Sequence, residues 1–215
     1  DGKAVKTPAQ SFLCVTGSAL ATAIAAEWAA QGDDIRPETM PMTQWVITEI
    51  DRVRPQRTKL QQEILGYIDT DLLCYRASPE SEIGKLQATA WDPVLDWVTD
   101  TYGARPTTTT KLDALTQPEQ LHATLRDYVT SLPDDFFTVL YVLTCETGSL
   151  FLGLAALKNA FDDGVIFTAA RVEEEYKKTL YKEDIHGSAP DQEKREEKLR
   201  QELASARQLL SLITT

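Results

Sequence analysis

Asp69 and Asp71, in the stretch Asp69-Thr70-Asp71, are the carboxylates best spaced in this chain to share a divalent cation, as such pairs do in nucleotide-sugar transferases. Aspartates at a helix exit also serve as turn formers or caps, and no third carboxylate lies nearby to complete a ligand set. A metal-dependent transferase using Asp69 and Asp71 is therefore carried only as an alternative function, beside an adaptor for another protein client. Histidine adds little. His122 and His186 are far apart, and neither has a metal-binding neighbour at helical or loop spacing, which argues against a zinc site or a histidine relay. A Walker A loop, a dinucleotide glycine fingerprint, a metalloprotease helix and a nucleophile elbow are all missing from the sequence. The expectation is a protein that is not an enzyme and uses no cofactor and no metal.

Glu173, Glu174 and Glu175 form the other carboxylate cluster. Consecutive helical residues point about 100° apart, so the three cannot converge on one substrate atom. They read either as a solvated helix face or as an acidic patch for a partner's Arg or Lys. Glu146 interrupts an apolar run, and burial there requires a paired cation or a hydrogen bond. Trp28, Trp45, Trp91 and Trp97, with Tyr75 and Tyr102, supply aromatic surface whose helical spacing favours core packing over binding anchors.

The elements that must position these residues follow from composition and periodicity. The chain has 215 residues, 42% of them hydrophobic, which is ample for a core. Its 33 acidic and 22 basic side chains give a net charge of -11, which argues against nucleic acid and anionic membranes as partners. Cys14, Cys74 and Cys145 are odd in number and widely separated, which suits buried free thiols in a reducing compartment. Residues 136–157 are nearly long enough to span a bilayer, but Glu146 near their middle favours two buried helices or one bent helix, and no membrane insertion is expected. The lack of a basic, Ser-rich leader tilts the expected location toward a bacterial cytoplasm, with a trimmed mitochondrial matrix protein as the alternative.

Residues 3–16 alternate loosely about Pro8 and read as a hairpin or pair of strands. Helices are expected over 19–31, over 41–53 until Pro55 interrupts, and over 58–68. Residues 69–78 read as an extended or looped crossing between two parts of the protein. A helix over 79–102 either kinks at Asp92-Pro93 or starts afresh at Pro93. Further helices are expected over 117–131, 134–146, 149–161 and 168–181. From residue 190 a charged stretch gives way to the apolar stripe of Leu199, Leu203, Ala206, Leu209, Leu210 and Ile213, which should dock at least partly. The expected fold class is α+β but predominantly helical, with a small β-containing N-terminal domain (1–68) followed by a larger multihelical domain (69–215).

Several stretches together resemble one family. IAAEWAAQGDDIRPETMPMTQWVITEID (24–51), DTDLLCYRA (69–77), LQATAWDPVLDW (86–97) and ARVEEEYKK (170–178) occur in the family's order across nearly the whole chain. The resemblance is to the assembly chaperones for the alpha subunit of F-type ATP synthase, found in mitochondria and alphaproteobacteria. Where that family has Trp-Gly after the acidic helix, this chain has Leu180-Tyr181-Lys182. The resemblance implies an ATP-independent chaperone, a monomer when free, whose partner is the unassembled alpha subunit. It also implies that Glu173, Glu174 and Glu175 bind that partner, with Glu174 foremost. Trp28, Tyr75, Arg76, Trp91 and Asp92, within the matching stretches, are further candidates for binding or structural roles.

Overall fold

A computed structural model describes residues 4–181 and 190–214. His186 and the exit of the acidic helix lie outside the described residues.

The helical faces pack as their periodicity requires. α1 (Ser18–Ala29) buries Leu20 and Ile24, and its Glu27 carboxylate caps α2 (Pro41–Thr48), accepting from Met42 N at 2.7 Å and Thr43 N at 2.8 Å. Negative charge on those unpaired N–H groups complements the helix dipole, and Pro41 at the first turn needs no acceptor. The expected stop at Pro55 does not occur. A π turn (Glu49–Val53), in which Arg54 N–H reaches Glu49 O, joins α2 to α3 (Arg54–Thr70). The wider turn absorbs the missing proline donor and makes room for its ring. α4 (Glu82–Tyr102) starts at Ser81, whose Oγ accepts from Gly84 N at 3.1 Å, and runs unbroken through the exposed Pro93 to Gly103 at φ 78°. The fresh start at Pro93 is thereby ruled out.

α5 (Glu119–Ser131) is followed by α6 (Asp134–Thr147) and α7 (Leu150–Leu157), the two buried helices of the apolar run. Gly148 at φ 71° makes the turn between them. At Gly153 the pair comes so close that a Cβ would stand 2.6 Å from Thr144 Oγ1. Among the described residues no helix is long and apolar enough to cross a membrane. α8 (Asp163–Tyr181) begins five residues before its expected start, and α9 (Pro190–Ile213) docks through Leu199, Leu203, Ala206 and Leu209, while Leu210 and Ile213 are half-buried. Trp45 Nε1 donates to Ser205 Oγ at 3.0 Å and fastens α9 to α2. One apolar cluster takes side chains from all nine of these helices, and each large buried one contributes about 1.5–3 kcal/mol.

The β-containing N-terminal domain is corrected. The structure is 72% helical, with no strand or sheet among the described residues. Residues 5–13 do turn back on themselves, with Leu13 N donating to Val5 O at 2.9 Å, but only one antiparallel bridge forms, Lys6 with Phe12. Pro8 lacks a donor, Gln10 takes φ 67°, and no third strand among the described residues extends a pair that is marginal alone. The loop is fastened instead to the π turn, where Asp51 accepts from Thr7 Oγ1 at 2.6 Å and Ala9 N at 3.0 Å. The thiols are corrected too: Cys74 is buried, but Cys14 and Cys145 are exposed.

Candidate partner-binding surface

α8 carries the acidic cluster and is held on three sides. Its first residue, Asp163, accepts from Arg207 Nε at 3.0 Å and Nη2 at 2.6 Å, which clamps the helix start to α9. Its middle rests on α4, where the fully buried Trp91 donates from Nε1 to Ala169 O at 2.8 Å. Further along, Lys178 bridges Glu175 at 2.7 Å and Glu196 of α9 at 2.6 Å.

The three glutamates consequently face three environments, as their 100° separation demands. Glu173 accepts from the buried Gln87 Nε2 at 2.7 Å, and the same Gln87 takes Ala77 N–H on its Oε1 at 2.8 Å. Glu175 is half exposed and spent on Lys178. Glu174, with 41% of its side chain exposed, has among the described residues only a 3.5 Å ionic contact with Arg171 Nη1. Glu174 also lines two shallow clefts. One, of about 390 Å³, lies between α6 and α8 and includes Glu146 and Arg171; the other, of about 260 Å³, lies between α8 and α9. Arg171 is stretched between Glu174 and Glu146 O at 3.4 Å, and its buried Nε has no hydrogen-bond partner among the described residues. Glu146 is half-buried rather than buried, and it meets the expected requirement for a cation through Lys198 of α9.

Four of the five remaining candidates come together beside this helix. Arg76 donates to Leu73 O from Nε at 3.1 Å and to Asp92 from Nη1 at 2.6 Å, with its guanidinium 5.7 Å from the Trp91 ring centroid. Tyr75 Oη donates to Asp69 O at 2.8 Å and accepts from Leu115 N at 3.1 Å. The cluster anchors the 69–78 crossing to α4 and to the loop before α5. Trp28 is not part of it and sits half-buried on α1.

Asp69 and Asp71 are turned to separate tasks. Asp71 is fully buried and accepts from Leu73 N (3.1 Å), Ser149 Oγ (2.7 Å) and Phe151 N (3.1 Å), so it caps α7 from a distance. Burial pushes its pKa up to about 6 against those hydrogen bonds. Asp69 Oδ1 holds Gln117 N at 2.8 Å and His122 Nε2 at 2.9 Å. Carboxylates so committed do not converge on one ion, and among the described residues no group of three potential ligands comes together.

Residues 1–99 match the family described as ATP12 chaperone protein. The crystal structure of Atp12 from Paracoccus denitrificans, an alphaproteobacterium, superposes with a TM-score of 0.88 at 29% identity, covering 99% of this chain and 89% of that one. The chain thus resembles the ATP12 chaperones. A P. denitrificans Atp12p mutant with one aspartate changed to lysine superposes at 0.87 and 29% identity, over 97% of this chain and 87% of that one. The Atu1473 protein of Agrobacterium tumefaciens does so at 0.86 and 28% identity, over 99% of this chain and 78% of that one.

Within this Atp12-like fold, sequence reasoning passed over Gln87, Arg171 and Lys178 as individual residues, although all three lie in the quoted stretches. Their partners sit 86, 25 and 18 residues away. A buried glutamine one helical turn before Trp91 was the available signal, since a buried amide must find partners.

Proposed function

We propose that this chain is an ATP-independent assembly chaperone for the alpha subunit of F-type ATP synthase. It covers the surface that alpha later buries against beta subunits and yields it when beta arrives. The match of residues 1–99 to the ATP12 chaperone family, with the likeness of the whole fold to Atp12, is the observation that carries this reading. The acidic helix supports it: α8 is braced on α4 and α9 while Glu174 stays partly exposed and weakly paired, the arrangement of a preformed recognition surface. Exposed subunit-contact surface aggregates, and a protein that binds it shifts the equilibrium by mass action without spending nucleotide. The chain acts as a monomer when free, in an alphaproteobacterial cytoplasm, a location supported by the organisms of the similar structures.

Co-expression tests it. Soluble alpha subunit is expected to rise several-fold over alpha expressed alone, and the two chains should co-elute as a heterodimer on size exclusion. Equal alpha solubility with and without the chain refutes the proposal.

A further inference from the structure

An apolar groove of about 510 Å³ lies beside the acidic helix, between α8, the start of α4 and the loop joining α4 to α5. Ile83, Tyr176, Leu112 and Leu180 line it. Leu112 is wholly exposed and Leu180 is 59% exposed. The loop bearing Leu112 is fastened: Arg76 N donates to Thr109 O and Thr109 N to Cys74 O, both at 2.8 Å, and Lys111 N donates to Thr109 Oγ1 at 3.0 Å. A leucine held in water by an anchored loop, opposite a second exposed leucine, is surface that contributes nothing to the core.

The charges around the groove select its occupant. Arg76 is committed to Asp92 and Glu173 to Gln87. Each wall contributes one further cation, Lys111 from the loop and Lys177 from α8, and neither ammonium has an ion pair among the described residues. On a chain of net charge -11 this is a locally positive apolar trough, which attracts carboxylates and repels Arg and Lys.

We propose that this groove captures a client segment in which apolar side chains alternate with acidic ones, the apolar groups packing on Leu112, Tyr176 and Leu180 and the carboxylates meeting Lys111 and Lys177. The inference rests on the chaperone reading and adds a second recognition element of opposite sign to Glu174. One client would then be read by a carboxylate on one side of α8 and by ammonium groups on another, which fixes its orientation.

Fluorescein-labelled decapeptides of alternating leucine and glutamate, leucine and lysine, or serine and glutamate are titrated against the full chain by anisotropy. The leucine–glutamate peptide should bind, more weakly as salt rises, and the Lys111→Glu/Lys177→Glu double variant and Leu112→Ser should each lose about tenfold or more. Equal binding of the leucine–lysine or serine–glutamate peptide, or unchanged binding by both variants, overturns the groove. All three residues are exposed, and unchanged thermal unfolding checks that the variants remain folded. The same variants are then co-expressed with alpha subunit. If wild type keeps alpha soluble and both variants do so equally well, the groove is refuted and the chaperone reading stands. If wild type itself fails, the chaperone reading falls and the peptide titration alone decides the groove.

Discussion

Glu174→Lys is expected to weaken capture of the alpha subunit by about tenfold or more, equivalent to about 1.4 kcal/mol or more, while shifting the melting temperature by only about 2 °C or less. The asymmetry follows from what the side chain touches. Its one ion-pair partner among the described residues is Arg171 at 3.5 Å, and 41% of it is exposed, so little folding energy rests on it. Lysine there would face Arg171 and reverse the charge presented to a basic partner. Glu173→Lys would be a poorer experiment, because it strips the buried Gln87 of an acceptor and confounds binding with folding. Co-purification of the Glu174→Lys protein with alpha, alongside thermal unfolding, separates the two effects. Full capture by that variant would remove Glu174 from the binding surface.

Asp71→Ala carries the largest expected stability loss, about 3–5 kcal/mol in urea unfolding, because it leaves Leu73 N, Phe151 N and Ser149 Oγ without their acceptor in a site with no exposure. A loss below about 1 kcal/mol would show that Asp71 does not tie the crossing segment to α7. The pH dependence has a definite sign. Burial lifts the folded pKa to about 6 from an ordinary 3.8. Stability linked to this group is therefore fully present below pH 3.8 and lost as pH rises through about 6, a swing of about 3 kcal/mol. Asp71→Asn lacks this titration. Wild type should gain on it as pH falls from about 7 to about 4, and a constant difference between the two would contradict the assignment.

Much of the helical framework was legible because apolar residues at 3.6-residue spacing have one way to be buried. Leu199, Leu203, Ala206 and Leu209 declared the docking face of α9, and the expected ranges 134–146 and 149–161 bracketed the turn between α6 and α7. The hairpin was misread because loose alternation about Pro8 carries no information on whether a neighbouring strand exists to pair with. Pro55 was misread because a π turn answers to the space around a proline ring, which local pattern does not encode. The acidic cluster was legible as three divergent carboxylates. Which one remains weakly paired was not, since that depends on Gln87 from α4 and on Lys178, itself held by Glu196 of α9. Likewise, the roles of Asp69 and Asp71 were set by Gln117, His122 and Ser149, 48 or more residues along the chain.

Light scattering from purified alpha subunit diluted out of denaturant, without nucleotide, tests most directly whether the chain works by covering a surface. Suppression of scattering should be complete at about one chain per alpha subunit and unaltered by added ATP. Scattering that persists at excess chain, or falls only when ATP is supplied, would contradict the account.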